Sequence, residues 1–432
     1  MTEFSLDKDS EFYIYKDEKL YGKIQRDKLY LYVNQKYILA DSKTQSEIVD
    51  ILPEGIDLQI MLHLFNVQNP IELLPYLKNV IGNFTISKDN NKKEFEKPIL
   101  SNLEIKNTFP NILECEIDIL PSHLNPNIQY PNGIQNLSLS GYQHKLQVSI
   151  IDNVIKANYG DFILKPYNNK YLQLPENEHL NVSFMKEFGF KVPFNAIVYD
   201  DWKKCYHYLI KRFDIDENGN KLAQISLNAL MDSENKYEGN IEQISSFLKD
   251  RLDETQKILF LKYVYANALI YNNDLHKKNI AFVFKDNQLV LSPVYDVINI
   301  YAVKASDKMN RLDRTQCHLS INNCNNGIKI DYFRQSCENL ELDFTTIQNQ
   351  LKELRDIYLE KYPQYIHNLL KSPKIKDIAN FKYRLLESYK KCLKIAKSED
   401  LNEELLQASQ YSINETASKT LKNDKINKRQ RR

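Results

Sequence analysis

Glycine is scarce in this chain, 10 residues in 432, about a third of what an average usage near 7% would supply. The closest two, Gly133 and Gly141, lie eight positions apart, so neither a dinucleotide-binding G-x-G-x-x-G nor a Walker G-x-x-x-x-G-K is present. Cysteine is sparse too. Cys115, Cys205, Cys317, Cys324, Cys337 and Cys392 form no C-x-x-C pair, which excludes a disulfide framework or zinc knuckle. The nearness of Cys317, His318 and Cys324 is read as packed or free thiols rather than a metal site. Neither sign of charge is in excess: 58 Lys and Arg against 57 Asp and Glu leave +1, so no global field draws the chain to nucleic acid or membrane. No uncharged apolar run reaches the roughly 18 residues of a membrane span. The opening MTEFSLDKDSEF lacks the basic and apolar regions of a secretory signal. A cytoplasmic protein without a membrane partner is expected.

What remains is ordinary globular material, 42% hydrophobic and 27% charged, long enough for two or three domains. Residues 12–41 read as short tyrosine-rich strands and 56–90 as mainly helical, together a small α+β unit over 1–95. The Asn-, Pro- and Ser-rich stretch 96–137 reads as a connection. Strand signals recur over 138–225 as LQVSII, DFILKPY, NAIVY and YHYLIKRF, with a helix whose apolar face carries Leu180, Phe184 and Phe188. Helices dominate 226–395. They include the almost wholly apolar 256–271, which must be buried on all sides, and an amphipathic helix near 344–362. Residues 396–432 read as a polar, basic, disordered tail whose alternative use is a nucleic-acid contact.

The chemistry concentrates after the apolar helix, in Asn272-Asn273-Asp274-Leu275-His276-Lys277-Lys278-Asn279, followed by IAFVF, a turn at Asp286-Asn287, QLVLS and Pro293-Val294-Tyr295-Asp296. Kinases need an aspartate to orient and deprotonate the attacking hydroxyl, an asparagine five residues on for Mg²⁺, and a second metal-binding carboxylate. Asp274, Asn279 and Asp296 match those roles in order, and a hairpin between them would bring Asn279 and Asp296 side by side. Turn-forming asparagines alone would explain the loop but not the spaced carboxylate. A kinase also needs a strand lysine that grips phosphates, oriented by a helical glutamate. Lys165 in DFILKPY and Glu178 at the start of the next helix fit, although an edge lysine that snorkels and a glutamate placed by the helix dipole would look alike. Upstream, Ser138-Leu139-Ser140-Gly141-Tyr142-Gln143-His144-Lys145 offers one glycine, hydroxyls and a lysine before a strand, a weak phosphate-loop signal alone.

Taken together, SLSGYQHK (138–145), ILKPY (163–167), NEH (177–179), KRFD (211–214), NNDLHKKN (272–279) and PVYDVI (293–298) resemble the HipA-type serine/threonine kinases, the toxins of bacterial HipA/HipB toxin–antitoxin pairs. The resemblance extends to LPYLKNVIGNF in the N-terminal unit. It implies an α+β fold with a β-rich N-lobe, a helical C-lobe and a small accessory N-terminal subdomain, with ATP and Mg²⁺ as cofactors. Carried over by position, Asp274 is the catalytic base, Asn279 and Asp296 hold the metal, and Lys165 grips phosphate with Glu178 as its ion-pair partner. Ser140, Gly141, Tyr142, Gln143, His144 and Lys145 form the phosphate loop. Lys211 and Phe213 flank the adenine, which their backbone holds, while His276, Lys278 and Tyr295 line the nucleotide. Ser138, or Ser140, is the autophosphorylation site that silences the enzyme.

The same resemblance implies a HipB-like helix-turn-helix antitoxin, DNA contact only through it, and an aminoacyl-tRNA synthetase as the protein substrate. Departures are Lys211, where an acidic residue is usual, and Tyr142 and His144, which replace smaller or acidic residues. Two other readings stay open. Asp-x-His-x-x-Asn also resembles the catalytic loop of phosphoinositide kinases, and a non-catalytic corepressor bound to an antitoxin would use the fold as scaffold.

Overall fold

The computed structural model describes residues 11–25, 28–52, 54–77, 80–87, 96–106, 108–121, 123–124, 143–286, 288–305, 312–372 and 374–401. It opens with an antiparallel meander: β1 (Glu11–Lys16), β2 (Lys19–Gln25), β3 (Lys28–Val33) and β4 (Lys36–Leu39). Its two-residue turns, Asp17-Glu18 and Asn34-Gln35, all have positive φ, the backbone that matches strand twist in a tight hairpin. Two helices follow, α1 (Ser42–Asp50) and α2 (Gly55–Leu64), then a 3-10 turn at Pro70–Tyr76. β5 (Phe84–Ser87) returns to pair with β1. The helical onset expected at 56 therefore moves to 42, where the Asp41 carboxylate caps the Thr44 N–H, and residues 84–87 are a strand.

The N-lobe is a seven-stranded sheet in the order β6-β12-β13-β10-β8-β9-β7. Its members are β6 (Ile112–Leu113), β7 (Glu116–Asp118), β8 (Leu146–Ile151), β9 (Val154–Ala157), β10 (Phe162–Lys165), β12 (Asn195–Asp200) and β13 (Cys205–Lys211). The segment 96–137, expected only to connect, thus supplies both edges of the sheet. Strands of two and three residues are too short for alternation to reveal. Gly160 is the glycine this sheet requires, since a Cβ there would lie 2.0 Å from the Val148 carbonyl oxygen.

The period of two sorts this sheet's faces. Val148, Phe162, Leu164 and Leu209 share one core with Phe12, Ile14, Leu73 and Phe84 of the N-terminal unit. Tyr208 and Ile210 face the other way, into the core built around α3 (Leu174–Phe184) and the helical lobe. Lys165, one step from Leu164, therefore points toward α3. Leu180 and Phe184 lie on that helix, whereas Phe188 lies beyond it but is still buried.

The C-lobe holds β14 (Gln224–Ser226), β15 (Ala281–Lys285) and β16 (Gln288–Leu291), paired in that order. Around them pack α4 (Leu227–Leu230), α5 (Ile241–Leu248), α6 (Glu254–Ile270), α7 (Arg334–Leu340) and α8 (Phe344–Leu369). β11 (Tyr171–Leu172) pairs with β17 (Lys304–Ala305) across the lobes. Residues 378–401 are helical, so the tail expected from 396 begins inside a helix. Ala396 is buried there, and Glu399 and Asp400 pair with Arg355. No helix among the described residues is long and apolar enough to cross a membrane.

Candidate active site

From Phe260 onward every residue of α6 except Lys262 is buried, and the helix ends at Tyr271, whose φ of 64° turns the chain sharply. Two asparagines then fasten the loop. Asn272 Nδ2 donates to Asn267 Oδ1 at 2.8 Å and reaches the Asp296 carbonyl at 3.4 Å. Asn273 Nδ2 donates to the Asp313 carbonyl and its Oδ1 accepts from Thr315 Oγ1, both at 3.1 Å. Sequence reasoning gave these two no role of their own. Their amides, each able to donate and accept, tie the loop to both segments beside it.

Asp274 follows, with its carboxyl pushed up to about 6 by burial and then by the nearby Asp296 charge. Asn279 Nδ2 donates to the Asp274 carbonyl at 3.0 Å. The hairpin of β15 and β16 returns the chain to this loop, where the Tyr295 hydroxyl donates to the Lys278 carbonyl at 3.0 Å. Asp296 has a φ of 51°, a backbone that a non-glycine residue holds only when its surroundings demand it. Its carboxylate receives Lys165 on one oxygen and Lys145, at 3.3 Å, on the other. Burial alone would raise that carboxyl, but the two ammonium groups hold it well below the usual range.

Lys165 is 3% exposed and also donates to Glu178 Oε1 at 2.5 Å. Burial opposes its charge, and Asp296 and Glu178 overcome that and keep it protonated. Residues from β10, α3 and the segment just before β8 thus meet around one carboxylate, whose charge the nearby Asp274 feels. Among the described residues no three His, Cys, Asp or Glu side chains converge for a metal ion. Mg²⁺ does not need such a cage, since it is commonly held by one or two protein oxygens together with substrate phosphates. The Asp296 carboxylate and the Asn279 amide oxygen are donors of that kind.

Several expected nucleotide contacts are redirected. Ser138, Ser140, Gly141 and Tyr142 lie outside the described residues, and Gln143 opens the segment that resumes. His144, expected to face phosphate, is buried with Nδ1 2.9 Å from Asp57 Oδ1 and Nε2 2.7 Å from the His123 carbonyl. Lys278, expected on the nucleotide, is held by Glu54, with Asp50 at 3.8 Å. The Lys211 N–H, expected to be open to a base, donates to the Phe194 carbonyl, and the Arg212 N–H to Asp161. The Phe213 ring lies 5.5 Å from that of Tyr295, so these two pack against each other. His276 is buried edge-on to Tyr237, and its Nδ1 has no hydrogen-bond partner. Burial, and then Lys236, push it down to about 3, so it is neutral.

Both acceptors at His144 are oxygens, so both ring nitrogens must donate, and only the imidazolium does so. Burial disfavours that charge, but Asp57 and the His123 carbonyl outweigh burial and the more distant Lys203, raising the group above its ordinary 6.5. A raised histidine contributes stability that is complete below the unfolded value and is lost as pH rises through the folded one. The thermal midpoint of the parent is therefore expected to fall above about pH 6.5, and more steeply than that of His144→Gln. Parallel slopes would refute the imidazolium.

Comparison with known proteins places the site in context. The model of the HipA-like C-terminal domain matches residues 137–362. A candidate kinase of Haemophilus influenzae is 33% identical over 41% of this chain and 60% of its own length. The chain thus spans less than two thirds of that relative. Among solved structures, a chain of the Shewanella oneidensis MR-1 toxin–antitoxin complex of HipA, HipB and operator DNA superposes with a TM-score of 0.63 at 14% identity. That match covers 90% of this chain and 99% of the other. The Helicobacter pylori proinflammatory kinase CtkA matches at a TM-score of 0.39 and 14% identity, over 68% of this chain and 99% of its own.

Proposed function

The chain belongs to the HipA-like C-terminal domain family and has the two-lobed kinase-like fold, and from that premise we propose that it is an ATP- and Mg²⁺-dependent serine/threonine protein kinase. The observation that carries the reading is the meeting of Lys165, Glu178, Lys145 and Asp296 beside the Asp274–Asn279 loop. No local sequence preference brings a strand lysine and a helix glutamate to a carboxylate more than 100 residues away.

In this reading Lys165 and Lys145 bind the triphosphate, whose negative charge would replace Asp296 as their counter-ion. Asn279 and Asp296 would hold Mg²⁺, which supplies charge neutralisation on the phosphates. Asp274 orients the acceptor hydroxyl and takes its proton, a role suited to a carboxyl held near neutrality. The acceptor would be a serine or threonine, including Ser138 or Ser140 of the chain itself. The Shewanella complex contains HipA, HipB and operator DNA. A helix-turn-helix antitoxin as partner, DNA contact through it, a toxin role and an aminoacyl-tRNA synthetase as substrate are proposed on the family resemblance.

The test is intact mass after incubation of the unphosphorylated protein with Mg-ATP. The parent is expected to gain phosphoryl groups, mapped to the Ser138–Ser140 segment, and Asp274→Ala to gain none. A parent that neither binds ATP nor gains mass would defeat the proposal.

A further inference from the structure

Three carboxylates of the N-terminal unit, Asp50, Glu54 and Asp57, fall within eight consecutive positions at the corner between α1 and α2. They do not serve one neighbour. Asp57, 1% exposed, holds the His144 ring at 2.9 Å and the Lys145 N–H at 3.4 Å, on the N-lobe. Glu54 holds Lys236 at 2.8 Å and Lys278, on the C-lobe. Asp50 accepts from the Ser226 hydroxyl and N–H at 2.8 and 3.2 Å, also on the C-lobe. The Asp57 and Glu54 grips end beside the site, for Lys145 reaches Asp296 and the Lys278 carbonyl accepts from Tyr295.

We propose that this corner is a strap that fixes the separation of the two lobes, with Asp57 and Glu54 as positioning residues for Lys145 and Lys278. A nucleotide cleft is competent only when its two walls stand at the right distance, and the apparent affinity falls by the fraction of molecules so arranged. A short corner that holds both walls keeps that fraction near one. Because Glu54 and Asp57 are three residues apart on one helical start, losing either grip uncouples the position of Lys145 from that of Lys278. Cutting the second end then adds little.

The inference rests on the proposed kinase activity, and its test separates the two. Rates against ATP concentration are compared for the parent, Glu54→Gln, Asp57→Asn and the double variant. Each single change is expected to raise KM for ATP about tenfold, as if the competent fraction fell to about a tenth, with kcat within about twofold. The double variant should lie within about threefold of either single one. Unchanged KM, or effects that multiply to about a hundredfold as for independent sites, would overturn the strap.

A second readout needs no turnover. Hydrogen exchange at 144–148, on the N-lobe, is expected to quicken in Glu54→Gln although Glu54 grips only C-lobe lysines. Exchange altered only around 236 and 278 would overturn the strap even if the parent proved inactive. If Asp57→Asn does not fold, the exchange measurement on Glu54→Gln decides the proposal by itself.

Discussion

Replacing Asp274 by asparagine is expected to slow phosphoryl transfer about 10² to 10⁴-fold, the usual contribution of a positioned general base, while nucleotide affinity changes by only a fewfold. The argument is that asparagine keeps the shape and one acceptor oxygen but cannot take a proton. The loop around it is held by groups that the change leaves alone, namely the Asn279 amide on the 274 carbonyl, Asn272 on Asn267, and the Leu275 N–H on the Asn272 carbonyl. The lysines that would bind the triphosphate belong to the other lobe. Loss of kcat with retained affinity is the signature of an interaction made only in the transition state. Single-turnover rates beside a fluorescent-nucleotide titration would check it, and a variant as fast as the parent would remove Asp274 from the chemistry.

The second large effect falls on stability. Arg212, 2% exposed, is bidentate to Asp214 at 3.0 and 2.6 Å and donates to Gln147 at 2.9 Å. Asp214 also accepts the Gly82 N–H at 3.1 Å, so this pair joins the N-terminal unit to the link between the lobes. Burial would raise the Asp214 carboxyl, and Arg212 holds it below the usual range. Arg212→Ala leaves that charge buried without its partner, a change that costs about 3–5 kcal/mol. A large fall in the urea midpoint is expected. The double change Arg212→Met with Asp214→Leu should recover much of it, because the pair itself gains little over well-packed apolar groups. An Arg212→Ala midpoint equal to the parent's would contradict this account.

Periodicity carried the fold where elements were long. LQVSII, DFILKPY, NAIVY and YHYLIKRF are strands, and the apolar 256–271 is the central helix. The amphipathic helix at 344–362 runs on to Leu369 through an internal Pro363, which a sequence reading takes as a stop. β6 and β7 were illegible because two or three residues hold no period. In the site, the spacing of Asp274, Asn279 and Asp296 was readable since one hairpin links them. The partners of His144 and Lys278 were not, because Asp57 and Glu54 lie 87 and 224 positions away and nothing local marks such pairs. Arg212 with Asp214 was readable only as two opposite charges, which burial alone turned into a structural pair.

The placement of β6 and β7 also sets an order in time. A ribosome delivers residues 112–118 before any strand they flank, yet β7 pairs with β9 at 154–156 and β6 with β12 at 197–198. The meander and helices of the first 87 residues can close early. β7 must wait for β9, which begins at residue 154, and β6 for β12, whose paired residues are 197–198, so the second edge closes well after the first. Completion of the N-lobe sheet is thereby tied to synthesis of its last strands, so a chain released before β12 has no finished sheet against which the C-lobe can close.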